Sequence, residues 1–330
     1  MSDPASSANR RPLATGKVPP DLLSAVFGSN RDARVIQGSG VGLDAAVIEW
    51  GGRALVAASD PITFVDSNAG RLAVAVNAND IFAVGAEPQW MLATVLAPEG
   101  VDAAAIQELL ADLTLACAEA GVALVGGHTE ITDAVVRSVV SCTLIGTAAM
   151  DEFIPSNGAA DGDVIIQAGA AAVEGTAILG YPQLLDDPGI SVAAAARALR
   201  AVDGVHAMHD VTEGGIATAA LELAESAGRS PQLVGDDVIW LPQTMAVCSE
   251  RDLDPLGLLG SGTLLAAVSP GAVERALSAL SNAGVQASAI GRVAAGSPAT
   301  LRFGGQMGPL PRFERDEALR AFDDARRSTP

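Results

Sequence analysis

Apolar residues recur at helical spacing over residues 71–84 and again over 102–119, and each stretch is closed by a glycine, Gly85 and Gly121. Short apolar or β-branched runs around them predict strands. Residues 45–49 and 54–58 form a hairpin across Gly51-Gly52, followed by 90–96, 122–125 and 135–146. The run 122–125 reads as a buried strand that opens into a turn at Gly126-Gly127. A short helix is expected over 17–27. The composition changes at Asp151-Glu152-Phe153-Ile154-Pro155. Beyond that point, strands are predicted over 163–167, 263–268 and 287–293, and helices over 175–180, 192–201, 215–227 and 272–283. The charged tail from Arg312 reads as partly frayed. Strands and helices mix without strict alternation, so the pattern favours an α+β fold over a doubly wound sheet. The expected division is a disordered leader over 1–16, a first domain over 17–150 and an α+β domain over 151–330.

Length and composition sharpen this. With 330 residues, 49% of them hydrophobic, the chain can bury a sizeable core, and two domains are more natural than one. The formal net charge is −19, which argues against nucleic acid and anionic membranes as partners, because both call for a basic patch. Cys117, Cys142 and Cys248 are widely spaced and form no C-x-x-C pair, so neither a disulfide framework nor a zinc knuckle is indicated. No run reaches the roughly 18 apolar residues of a membrane span, and the polar start of the chain lacks the apolar core of a signal peptide. The expected compartment is the cytoplasm.

The chemistry is concentrated in acidic motifs set beside Gly or Asn. They are Gly38-Ser39-Gly40-Val41-Gly42-Leu43-Asp44, Ser59-Asp60-Pro61, Asn77-Ala78-Asn79-Asp80 and Gly126-Gly127-His128-Thr129-Glu130. Mg²⁺ takes hard oxygen ligands and is commonly shared between one or two carboxylates and a nucleotide's phosphates. Glycines at alternate positions before Asp44 can bring backbone N–H groups close to a phosphate. This is no P-loop, since no Lys-Ser or Lys-Thr follows. Asp80 falls in a mainly apolar helix, where an unpaired carboxylate is costly, and Asn77 shares its face. His128 and Glu130 fall at the expected end of a strand, where loops carry function. Two more segments are candidates: Glu174-Gly175-Thr176 at a helix start, an anion-friendly position, and Asp210-Val211-Thr212-Glu213-Gly214-Gly215, with Thr212 a plausible N-cap.

Taken in order, these motifs resemble the PurM-like superfamily of aminoimidazole ribonucleotide synthetase, selenophosphate synthetase, thiamine-monophosphate kinase and the hydrogenase maturation factor HypE. The resemblance runs from about residue 17 to 293 and is strongest to the HypE-like group. It implies an N-terminal α/β domain that forms a shared β-barrel in a homodimer, and a C-terminal α+β domain that closes over ATP. It implies Mg²⁺ held by Asp44, Asp60 and Asp80, and a nucleotide bound by Gly40, Gly42, Asn77, Asn79, Gly126, Gly127, Thr129, Glu174, Gly175, Thr176, Asp210, Gly214 and Gly215. Asp80, His128 and Glu130 are the expected catalytic residues. The expected activity is ATP-dependent phosphorylation of an oxygen, such as that of a carboxamide, on a small-molecule or protein-borne acceptor.

The chain also departs from that pattern. His128 stands where HypE has Asp, and Glu130 where it has Lys. The acidic residue that HypE places before its late Gly-Lys-Leu strand entry is absent from the segment Leu259-Gly260-Ser261-Gly262-Thr263-Leu264, and no cysteine follows Cys248. HypE carries its carbamoyl group on a terminal cysteine, so this sequence is expected not to make thiocyanate on itself. The late acidic motif of thiamine-monophosphate kinase is missing too, so that enzyme is not a close fit, and a small-molecule kinase of that kind stands only as one alternative. The other is a non-catalytic nucleotide-binding scaffold for assembling a metal centre.

Overall fold

The computed structural model describes residues 13, 15–19, 22–23, 32–63, 68–186 and 189–327. Most of the expected leader and of the expected helix over 17–27 lie outside them.

The first half builds β1 (Val35–Gln37), β2 (Ala46–Trp50), β3 (Arg53–Ile62), α1 (Ala69–Ala83), β4 (Glu87–Pro98), α2 (Ala103–Glu119), β5 (Ala123–Thr132) and β6 (Val139–Ala149). Its sheet runs β1-β2-β3-β6-β4-β5. Gly51 and Gly52 both have positive φ, 60° and 80°, which is the geometry of a two-residue hairpin turn and lets Trp50 pair with Arg53. Helix α1 packs on β3 and β6, and α2 packs on α1. The Asp102 carboxylate caps α2 by accepting from the Ala104 N–H at 2.9 Å.

One strand differs from its sequence reading. β5 is neither short nor buried: it is the edge strand, parallel to β4 and exposed along almost its whole length. Gly126, Gly127, His128, Thr129 and Glu130 lie inside it and not in a loop beyond it. The pairing slips at Met91/Leu92, skipping Val125. At Gly127 a Cβ would stand 1.8 Å from the Ala93 carbonyl oxygen, so only glycine lets the backbones approach this closely.

The second half builds β7 (Val164–Ala168), α3 (Val173–Ile178), α4 (Ala193–Arg200), β8 (Val205–Asp210), α5 (Gly215–Glu225), β9 (Ser230–Val234), α6 (Pro242–Arg251), β10 (Leu264–Val268), α7 (Val273–Asn282), β11 (Ala287–Ala294), β12 (Thr300–Phe303), β13 (Gln306–Pro309) and α8 (Glu317–Arg327). Its sheet runs β13-β12-β9-β11-β7-β10-β8. The central strands are buried on both faces. Ile166, Met208, Leu264 and Ala266 share a core with Leu199 of α4 and with Ile81, Met91 and Leu144 of the first half. Ile165, Ala207, Leu265 and Ala267 face the other way, onto Ile216 and Leu223 of α5. The architecture is thus the two-domain α+β arrangement expected, with one core running between the sheets. The tail is more ordered than expected: α8 is a helix that buries Ala318, Leu319 and Ala321.

Candidate active site

Four carboxylates from distant parts of the chain converge where the two sheets meet. Asp44 precedes β2, Asp60 lies in β3, Asp80 near the end of α1 and Asp210 at the end of β8. Asn77 fixes two of these elements together. Its Oδ1 accepts from the Asp60 N–H at 2.9 Å, and its Nδ2 donates to the Asp60 and Ala73 carbonyls at 3.2 and 2.8 Å. Asn79 joins α1 to the second half in the same way. Its Nδ2 donates to the Ile190 carbonyl at 2.8 Å and its Oδ1 accepts from the Val192 N–H at 3.0 Å. Both asparagines are fully buried. Their amides are engaged by the fold, which ties α1 to β3 and to the segment before α4.

His209, next to Asp210, lies between two acids. Nδ1 pairs with Asp44, and Nε2 lies 3.2 Å from Glu222 of α5. Burial lowers its pKa, but Asp44 and Glu222 outweigh that and hold it well above the usual histidine range. Burial would raise Glu222, yet the bond to His209 and the charge of Lys17 draw it down to about 2. Burial first, then the charges of Asp210, Asp60 and Asp44, push Asp80 well above the usual carboxylate range, and a hydrogen bond with Asp60 adds to this. Asp210 is pushed up to about 7, by burial first and then by Asp44. Neither Asp210 oxygen has a hydrogen-bond partner among the described residues.

Like charges buried together are costly unless protonated or neutralised by a cation. One oxygen of Asp44, one of Asp210 and a ring nitrogen of His209 lie within 4.8 Å of one another. Both His209 nitrogens already face carboxylates, so the histidine acts as a holder of Asp44, and among the described residues the Asp210 oxygens are the cluster donors left over. An all-oxygen set with an orphaned buried carboxylate fits a hard divalent cation such as Mg²⁺.

Lys17 closes the cluster from outside. Its Nζ donates to Thr212 Oγ1 at 3.0 Å and its backbone N–H to Glu213 Oε2 at 3.1 Å. Loss of water lowers its pKa, but Glu222, Glu213, Asp210 and Asp60 outweigh this and raise it.

Other expected ligand residues are placed differently. Gly42 has φ 75°, and a Cβ there would meet the Glu222 carbonyl oxygen at 2.7 Å. It therefore lets the Asp44 loop close on α5. Gly40 sits in that loop, its carbonyl accepting from the Leu43 N–H at 3.3 Å. The Gly175 N–H donates to the Leu259 carbonyl, and the Thr176 N–H and hydroxyl to the Ala172 carbonyl. Both residues are thus tied into the fold at the start of α3. The Gly214 N–H is likewise taken, at 2.8 Å, by the Asp316 carboxylate just before α8, while Gly215 begins α5 against Leu256 and Leu258. Glu174 is buried beside Ser261. Burial, then Asp316 and Glu213, lift it to about 7 against the pull of the Ser261 bond.

His128 and Glu130 are exposed on β5, 3.3 Å apart, with Thr129 between them. The sheet rows run Asp60–Cys142–Ala93–Gly127, which sets them about 14 Å from Asp60 at three strand spacings. Within one chain they do not join the cluster. The thiols are not available either: all three are buried, and burial pushes Cys142 up to about 12 and Cys248 up to about 11.

Asp210 was expected as a nucleotide contact and emerges as a fourth carboxylate of the cluster. His209, Glu222 and Lys17 were not singled out. The His209-Asp210 pair before the Gly214-Gly215 turn was a usable signal for His209; nothing local marks Glu222.

Residues 42–148 match the family described as AIR synthase related protein, N-terminal domain, and residues 160–303 match its C-terminal domain. The chain belongs to the AIR synthase-related family. It is 29% identical over 283 residues to a hydrogenase expression/formation protein of Methanocaldococcus jannaschii, covering 81% of this chain and 84% of that one. It is 31% identical over 248 residues to the carbamoyl dehydratase HypE of Escherichia coli K12, covering 71% and 73%. Among solved structures, the hydrogenase maturation protein HypE in complex with ATP superposes with a TM-score of 0.72 at 25% identity, covering 84% of this chain and 90% of that one. With these likenesses the two-domain fold is PurM-like. No helix among the described residues is long and apolar enough to cross a membrane.

Proposed function

We propose that this protein is a Mg²⁺-dependent, ATP-using enzyme that transfers the terminal phosphoryl group to an oxygen of an acceptor, of the carboxamide or carbamoyl class. The observation that carries the reading is the convergence of Asp44, Asp60, Asp80 and Asp210, of which Asp80 and Asp210 are buried and Asp210 has no hydrogen-bond partner among the described residues. The HypE relatives, called carbamoyl dehydratases, favour that acceptor class. Phosphorylating a carboxamide oxygen makes it a leaving group, and loss of phosphate with the nitrogen's two protons gives a nitrile.

In this reading Asp44, Asp60, Asp80 and Asp210 hold Mg²⁺, which supplies charge neutralisation for the polyphosphate. His209 and Glu222 keep Asp44 oriented. Burial between the two sheets excludes water, so the γ-phosphoryl group meets the acceptor in place of solvent.

The same reading makes the protein a homodimer through the β5 edge. Trp90, Leu92, Leu124, Val125 and Ile131 are exposed on or beside that strand, and an open apolar edge is a liability that a second copy removes. His128 and Glu130 pair with Thr94 and Leu96, on the face of the sheet that also exposes Trp90 and Leu92, so their part in a site is played across the dimer.

The test is ADP release by the purified protein with Mg²⁺, with and without small carboxamides or a carbamoylated thiol peptide. The reading expects Mg²⁺-dependent release that one of these acceptors stimulates. Absence of nucleotide turnover and binding under all of these conditions contradicts it.

A further inference from the structure

Lys17 is the only lysine in the chain; the other 19 of its 20 basic residues are arginines. The sequence therefore uses arginine wherever it needs an ordinary surface cation, and every Lys/Arg–carboxylate ion pair among the described residues is made by arginine. The single exception sits above the acidic cluster. Its ammonium meets a hydroxyl, Thr212 Oγ1 at 3.0 Å, and its backbone N–H is tied to Glu213 at 3.1 Å. Glu222, Glu213, Asp210 and Asp60 all act on its charge. Among the described residues no carboxylate oxygen pairs with it directly.

Position matters as much as charge. Asp80, His209 and Asp210 are buried; Lys17 is exposed as a residue, while its ammonium end is turned in against Thr212 and loses water there. An ammonium carries three donors, and Thr212 takes one. A compact point charge on a flexible stem suits a single phosphate oxygen, where guanidinium would demand a planar, two-point partner. A charge that only balanced the acids could equally be arginine.

We propose that Lys17 is a phosphate-binding residue of the active site, its ammonium held by Thr212 at the mouth of the acidic cluster to contact a terminal-phosphate oxygen of the nucleotide. The proposal rests on the ATP-binding reading above. It assigns to the segment 15–19 a role in binding that none of the acidic motifs carries.

Because the chain has one lysine, the test is unambiguous at the side-chain level. Wild-type protein is acetylated with a limiting amine-reactive reagent in Mg²⁺ alone and in Mg²⁺ plus a non-hydrolysable ATP analogue. Peptide mass mapping separates Lys17 from the terminal amine. Calorimetry on the same sample reports nucleotide occupancy. The expected result is at least tenfold slower acetylation of Lys17 when nucleotide is bound, with no such protection by Mg²⁺ alone. Lys17→Met is expected to lower kcat/KM for Mg·ATP at least tenfold at saturating Mg²⁺, with circular dichroism and Mg²⁺ affinity retained. Full nucleotide occupancy with unchanged acetylation, or turnover by Lys17→Met within twofold of wild type, overturns the Lys17 assignment and leaves the functional reading standing. A wild type that binds no Mg·ATP overturns both.

Discussion

At the scale of single residues, the site is held by groups whose charge the fold has made costly. Glu174 shows this away from the cluster. Its pKa in the folded chain rises from 4.5 to about 7, chiefly through burial. A raised folded value means that the stability it lends is full below the unfolded pKa and is lost as pH rises through about 7. Glu174→Gln keeps the shape and cannot ionise. The variant is expected to match wild type near pH 4 and to exceed it by about 1–3 kcal/mol at pH 8, read from denaturant midpoints at both values. An unchanged difference between the two pH values would show that Glu174 is not held protonated. The residues of this scale were unevenly legible. Asp44, Asp60 and Asp80 announced themselves by Gly and Asn neighbours and an apolar setting. Asn77 and Asn79 stood in the same motif, but a buried amide looks alike in sequence whether it clamps backbone or binds ligand. Glu222 and Lys17 reach the site only through tertiary approach, from 13 residues after His209 and from the far end of the chain.

At the scale of elements, α1 is the part that assembles the site. One turn carries Asn77 to β3, Asn79 to the segment before α4, and Asp80 into the cluster. Asn79→Ala removes one donor and one acceptor and leaves the Ile190 carbonyl and the Val192 N–H unsatisfied. It is expected to cost about 2–4 kcal/mol of stability, measured by chemical unfolding, and to weaken nucleotide binding without touching the ligand. A loss below about 0.5 kcal/mol would mean that the clamp is solvated and weak. The helices at 71–84 and 102–119 and the hairpin were legible because strong periodicity and paired glycines are local signals. β5 was misread because Gly126-Gly127 looks like a turn, whereas here the second glycine lets two strands approach. The helix α8 was missed because its charged face dominates its sequence, while the few alanines and the leucine that dock it are inconspicuous.

At the scale of the whole molecule, the two sheets share one core, so the relative position of Asp60, Asp80 and Asp210 is fixed by packing of one half on the other. The exposed β5 edge is the counterpart of that closed core. Sedimentation at micromolar concentration is expected to give a dimer of the 33.2 kDa chain. Placing a charge in the exposed apolar face, Leu92→Asp, is expected to shift it to monomer. A wild-type monomer would contradict the dimer and leave His128 and Glu130 without a site to serve. The central claim, however, is that the acidic cluster binds Mg·ATP, and calorimetric titration of nucleotide into wild type and Asp80→Asn tests it most directly. The account predicts that wild type binds ATP with Mg²⁺ and not with a chelator, and that Asp80→Asn loses at least tenfold in affinity, about 1.4 kcal/mol. Equal binding by the variant, or binding that survives removal of the metal, would contradict it.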